Sequence, residues 1–303
     1  PLLHFVSGFL FLRFAHGFSA GFTPTGTSAY VADTVPFAQR GEAMGIQSLF
    51  GSLGMAAGPA LGGWIASFWP IETLFYAAAF TAIFSILILV RLKETLPQKE
   101  PFSLRLFKLD KNEILEKRVL LPSTILFLSV FSFGVVLTLI PDLSSFLGIK
   151  NKGLFFAVFT LSSLGIRLLA GRASDRVGRV KVMRVASVVM VVAMIAVAFA
   201  TSKTMLLGSA VLFGAAVGMY SPTTTAWVVD RSLENYRGRA LATMYIFLEL
   251  GIGLGALVSS WLYNNKPENF QIAFLFSAGV AFLGFLLLIF IKSDRKNSAE
   301  LVA

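Results

Sequence analysis

The sequence contains no cysteine, so disulfides, thiolate metal sites and catalytic thiols are all excluded. Histidine is nearly absent too: His4 and His16 are the only two, which leaves little for an imidazole-based metal centre. Charge is scarce, with Asp, Glu, Lys and Arg together making up 14% of the 303 residues, against about a quarter in a soluble domain. What fills the space is apolar. Hydrophobic residues make up 56% of the chain and mean hydropathy is +0.76. A soluble fold has no means of hiding that much apolar surface, and lipid is its natural solvent. The net charge of +10 would by itself suit nucleic acid, but the basic residues lie between apolar runs, as in the loops of a membrane protein. No nucleic-acid partner and no cofactor is expected.

Nine apolar segments are long enough to cross about 30 Å of hydrocarbon, at roughly 3–31, 41–67, 70–92, 121–147, 152–171, 181–201, 204–229, 239–263 and 269–292. Residues 1–92 read as three helices of one half and 121–292 as six helices of a second. Residues 93–120 read as a polar linker on the cytoplasmic side, and 293–303 as a cytoplasmic tail. If the segments alternate in direction, twenty of the 26 Lys and Arg fall on one side, four on the other, and Arg13 and Arg167 within segments. The positive-inside rule makes the rich side cytoplasmic and places the C-terminus there. The expected setting is an inner, or plasma, membrane of bacterial type.

A shift of 197 residues superimposes the two halves. Gly17 falls on Gly214, Gly21 on Gly218, Tyr30 on Trp227, Asp33 on Asp230, Arg40 on Arg237, Gly54 on Gly251 and Gly58 on Gly255. Tandem helical halves are a transporter architecture. Three segments of the second half precede the one that aligns with the first segment. The repeat therefore predicts three further segments ahead of Pro1 and twelve helices in all. The chain opens within an apolar run, without a basic n-region or a small-residue cleavage site.

Three stretches carry a resemblance to a known family. Gly171–Lys181, GRASDRVGRVK, follows the pattern Gly-x-x-x-Asp-Arg-x-Gly-Arg between the fifth and sixth segments. Gly51–Gly63, GSLGMAAGPALGG, places Gly54, Gly58 and Gly62 on one helix face, followed by Gly63, with Pro59 removing a backbone donor. Leu12–Gly21, LRFAHGFSAG, sets Arg13 four residues before Gly17. On these motifs the chain resembles the major facilitator superfamily, in its drug–proton antiporter branch, as helices four to twelve of that fold.

The resemblance implies an all-α membrane bundle of two pseudo-symmetric six-helix halves, of which nine helices are present. It implies a secondary active transporter working by alternating access, with protons and a small solute as partners and a monomer as the working unit. It assigns Gly171, Asp175, Arg176, Gly178 and Arg179 to a conformational latch. There Asp175 sits near a helix N-terminus and Arg179 reaches Asp230. Asp33 with Arg40, and Asp230 with Arg237, flank matching inner turns and read as further latch pairs.

Proton coupling has three candidates. Arg13 is a cation within a membrane segment, where charge is costly and usually faces a polar cavity; snorkelling to headgroups is the alternative. His16 has an unperturbed pKa near neutrality, though a lone histidine in a bundle also serves in packing. Glu249 lies mid-span in FLELGIGLGAL, where burial would favour the neutral acid and proton exchange, or where a buried cation such as Arg167 would pair with it. Asp142, after Pro141, reads as a residue of a helix end or gate. Matching runs FTPTGTSAY and YSPTTTAW predict locally bent helices.

A proton-driven exporter of an amphipathic solute fits best, and an importer of a sugar, metabolite or organic anion on the same fold is the alternative. A membrane enzyme lacks support, since no paired catalytic carboxylates, nucleophile–base set or metal cluster is present. A scaffold derived from a transporter remains a third possibility.

Overall fold

A computed structural model of the chain describes residues 6–36, 40–93, 115–233 and 236–291; some side chains inside the helices also lie outside that description. The regular structure among the described residues is helical throughout. It comprises α1 Val6–Thr34, α2 Arg40–Phe68, α3 Ile71–Leu89, α4 Leu120–Phe146, α5 Leu154–Val177, α6 Arg179–Ala198, α7 Lys203–Arg231, α8 Arg237–Tyr263 and α9 Phe270–Phe290. Six of them, α3, α4, α6, α7, α8 and α9, are long and apolar enough to cross a membrane. A seventh is α5, if its parts Leu154–Arg167 and Leu169–Val177, which meet at 43°, count as one span. All nine expected segments are helical among the described residues, but α1 and α2 fall outside these seven. In α1 and α2, each 29 residues long, interspersed Gly, Ser and Thr, together with Arg13 and His16 in α1, dilute the apolar run.

The segment boundaries differ most around the Gly171–Lys181 motif. The apolar run ends at 171, but helix α5 continues to Val177, so Gly171, Asp175 and Arg176 are helical rather than in a loop. Nothing in RASDRV breaks a helix, and the turn shrinks to Gly178, whose φ of 98° and ψ of 145° suit glycine almost alone. Helix α6 then begins at once with Arg179. Prolines do not end helices here: α2, α4 and α7 continue through Pro59, Pro141 and Pro222.

The chain divides into two compact units, Pro1–Ser103 and Leu104–Ala303. In the first unit, α1 packs on α2 and α2 on α3, and α3 buries none of its residues. Trp64, Phe68 and Trp69 cluster edge-to-face at the end of α2, with centroids 5.2–5.9 Å apart. Gly62 meets Leu74 of α3, and the Gly63 carbonyl accepts a hydrogen bond from Ser67.

In the second unit the packing order is not the chain order. Helix α4 packs on α8 and α9, α6 on α7 and α9, and α5 on α7. In lipid, apolar side chains gain little by leaving their solvent, so association rests on close van der Waals approach. Two helix pairs show this at backbone range. A Cβ on Gly134 of α4 would lie 2.1 Å from the Ile252 carbonyl oxygen of α8, and one on Gly255 of α8 would lie 2.1 Å from that of Phe131. The same holds for α7 on α5, where a Cβ on Gly214 would meet the Phe159 carbonyl oxygen at 2.1 Å. Phe133, Phe155, Phe159 and Phe213 fill the space between α4, α5 and α7 with rings 5.6–6.2 Å apart. Some buried hydroxyls are paired across helices, as in Ser277 to Ser132 at 2.9 Å and Ser187 with the Tyr220 hydroxyl.

Candidate functional site

The most complete polar constellation is built at the one-residue turn between α5 and α6. Because Gly178 reverses the chain so tightly, Arg179 stands at the first position of α6 and looks back over the last turn of α5. Its Nη1 lies 2.5 Å from Asp175 Oδ1 and donates to Ser174 Oγ at 2.6 Å. Its Nε donates to Asp230 Oδ2 at 3.1 Å, near the end of α7. The Arg179 side chain is 20% exposed and Asp230 29%, whereas Asp175 is 64% exposed, so the α6–α7 link is the more shielded of the two. One guanidinium thus joins the ends of three helices. Asp175 finds its described partner in Arg179 itself. Arg176 is exposed and takes no part. The side chains of Asp33, Arg40 and Arg237 lie outside the described residues, so the other two latch pairs have no geometry here.

Two neighbouring networks escaped the motif. Glu116, before α4, is buried; its N–H donates to Thr243 Oγ1 of α8 at 2.9 Å and its Oε1 accepts from the Arg118 N–H at 3.3 Å. Arg231 at the end of α7 donates to the Arg118 carbonyl at 3.1 Å. Arg184 of α6 donates to the carbonyls of Leu288, Ile289 and Ile291, satisfying the C-terminal groups that α9 leaves open. In the sequence Arg118, Arg184 and Arg231 were visible only as members of a basic inner side.

Within the spans, Arg167 of α5 donates from Nη2 to Ser221 Oγ of α7 at 2.7 Å. The expected alternative, an ion pair between Arg167 and Glu249, does not form. Nor is Glu249 buried: it is exposed, with no hydrogen bond or ion pair among the described residues. Gly251 and Gly255 pack α8 onto α4, and Glu249 stands about 200° round the helix from Gly251, on the opposite face. In the first unit, Arg13 is exposed with its guanidinium 5.3 Å from the centroid of the Phe9 ring, and His16 is exposed. Asp142 is an exposed residue near the end of α4. Gly54 and Gly58 meet nothing within 4 Å, and Pro59 is half-buried. The described residues include no group of three or more His, Asp or Glu able to hold a metal ion.

A helical membrane bundle with a charge cluster at a Gly-Arg turn suggests a class, and comparison with known proteins shows it. The family model described as Major Facilitator Superfamily matches residues 1–166 and 122–302. The chain belongs to the Major Facilitator Superfamily, a family of multi-pass integral membrane transporters rather than enzymes. Among similar curated proteins is the multidrug resistance protein MdtG of Klebsiella pneumoniae (strain 342), 29% identical over 283 residues, which are 90% of this chain and 67% of that protein. The multi-drug resistance efflux pump PmrA of Streptococcus pneumoniae is 29% identical over 267 residues, 83% of this chain and 64% of that protein. Multidrug resistance protein 2 of Bacillus subtilis (strain 168) is 28% identical over 305 residues, 97% of this chain and 75% of that protein. The chain thus spans about two thirds of the length of the first relatives.

Proposed function

We propose that the protein is a secondary active exporter of small amphipathic solutes, driven by inward proton flow and working by alternating access. The observation that carries the coupling is Glu249. It is a carboxylate in the middle of an apolar helix, on the face turned away from the packing of its own bundle. A charged group at that depth is costly against lipid and is kept where it faces a polar path. Exposure of the carboxyl to that path lets it load a proton from one side and lose it to the other as access alternates. Arg13 and His16 are the corresponding candidates in the first unit. The half-buried Arg167–Ser221 pair offers polar contact for a solute within the second.

Alternating access needs a switchable fastening, and the Arg179–Asp175–Asp230 set is suited to it. Its bonds are partly exposed, so each is worth about 1 kcal/mol or less, strong enough to bias an equilibrium and weak enough to break in each cycle. The direction of transport follows the relatives, which are named for multidrug resistance and efflux.

The test is transport in vesicles with an imposed pH gradient, using Glu249→Gln. Loss of gradient-driven flux, with the helical content and monodispersity of the protein unchanged, is the expected result. Undiminished proton-driven flux in that variant removes Glu249 from the mechanism. Accumulation of solute on the side from which protons leave distinguishes an exporter from the importer on the same fold.

A further inference from the structure

A groove of about 320 Å³ runs along the second unit where α5 and α6 diverge above the Gly178 turn. Ile166, Ala173 and Val177 of α5 form one wall, Val185 of α6 the other, and Met219 of α7 the floor. The lining is almost wholly apolar; Lys181, three residues past the Gly178 turn, is among the residues that line it. Lys181 is exposed and makes no ion pair among the described residues. Arg172 and Arg176, one helical turn apart on the last part of α5, are exposed too, whereas the nearby carboxylates Asp175 and Asp230 are both engaged by Arg179. The groove therefore has a greasy length and a basic mouth.

We propose that this groove holds one acyl chain of an anionic phospholipid, with the phosphate of its headgroup on Lys181. The walls belong to helices of a membrane-spanning bundle, where acyl chains are the abundant apolar solute. A lipid tail gains little free energy merely by exchanging other tails for protein. What selects this lipid is the charge at the mouth, as in basic pockets between transmembrane helices that take anionic headgroups. What holds it is the fit of a flexible chain into a hollow that no described side chain of the unit fills.

The experiment is native mass spectrometry of the purified protein released from detergent after titration with phosphatidylglycerol or phosphatidylcholine of the same acyl chains. The expected result is one phosphatidylglycerol retained in preference to phosphatidylcholine, with Lys181→Gln reducing that preference about fivefold. Ala173→Trp, which fills the hollow without touching the charge, is expected to abolish retention of both lipids. Thermal melting of each variant is compared with the parent to exclude misfolding. The proposal is overturned if the parent retains the two lipids equally, or if Lys181→Gln leaves the preference intact. It is overturned equally if glycerol phosphate without acyl chains competes as well as the lipid, which makes the mouth a simple anion site. A concentration-dependent dimer abolished by Ala173→Trp assigns the groove to a second copy of the chain, and likewise overturns it.

Discussion

Arg179 at the start of α6 and Asp230 near the end of α7 are joined by a 3.1 Å hydrogen bond that spans 51 residues of sequence. The bond makes one arginine answerable to two carboxylates, since the same guanidinium also holds Asp175. Removing either end of the link to α7 should shift the balance between inward- and outward-open forms. Arg179→Gln and Asp230→Asn are each expected to change that ratio about fivefold, the equivalent of about 1 kcal/mol. The double variant should change it no further than Arg179→Gln alone. Because the chain has no cysteine, labelling of a single introduced cysteine reads the shift without removal of native thiols.

Gly178 adopts a backbone conformation that other residues reach only under strain. Gly178→Ala is expected to cost about 1–3 kcal/mol and to lower the melting temperature in detergent. Gly238 at the start of α8, where a Cβ meets nothing within 4 Å and φ is not positive, serves as the control. Gly238→Ala should leave melting close to the parent's.

The contact of α8 with α4 predicts an opposite pair of outcomes two residues apart. Gly255→Ala drives a methyl into the Phe131 carbonyl and should destabilise the protein by about 1–3 kcal/mol, through separation of the two helices. Gly253→Ala has open space and should be neutral or stabilising by up to about 1 kcal/mol, because alanine favours the helix. Thermal unfolding followed by size-exclusion profile distinguishes them.

Arg184 closes the C-terminus of α9 with bonds to three carbonyls. Arg184→Met keeps the apolar stem and removes the donors. The expected effect is faster amide exchange in the last turn of α9, with the rest of α6 unchanged. Hydrogen-exchange mass spectrometry measures it.

Local pattern was enough to place the nine helices among the described residues, because each apolar run is bounded by polar or basic residues. It misplaced the end of α5 by six residues, since apolarity stops at 171 while helix propensity continues to Val177. The Arg179–Asp230 contact was legible only through the family resemblance that the Gly-x-x-x-Asp-Arg-x-Gly-Arg motif carries; the internal repeat pointed instead to Asp230 with Arg237. Arg184 with Leu288 and Glu116 with Thr243, 104 and 127 residues apart, follow no such pattern. Their pairing is decided by which helices pack together. For the same reason the four-residue spacing of Gly251 and Gly255 announced a close contact without naming α4 as the partner. Glu249 was legible as an acid at mid-span, yet its outward face could be known only once the glycine face of α8 was fixed against α4.

The packing order of the second unit has a consequence for how it is made. Helix α4 leaves the ribosome first of the six, but its glycine-faced partner α8 is the fifth to emerge and α9 the sixth. During synthesis α4 must wait in the bilayer, its backbone notch at Gly134 occupied by lipid, while α5, α6 and α7 are threaded. A nascent chain halted after α7 therefore presents an open flank to membrane proteases and insertion chaperones, and the last two helices act as the closing step of assembly.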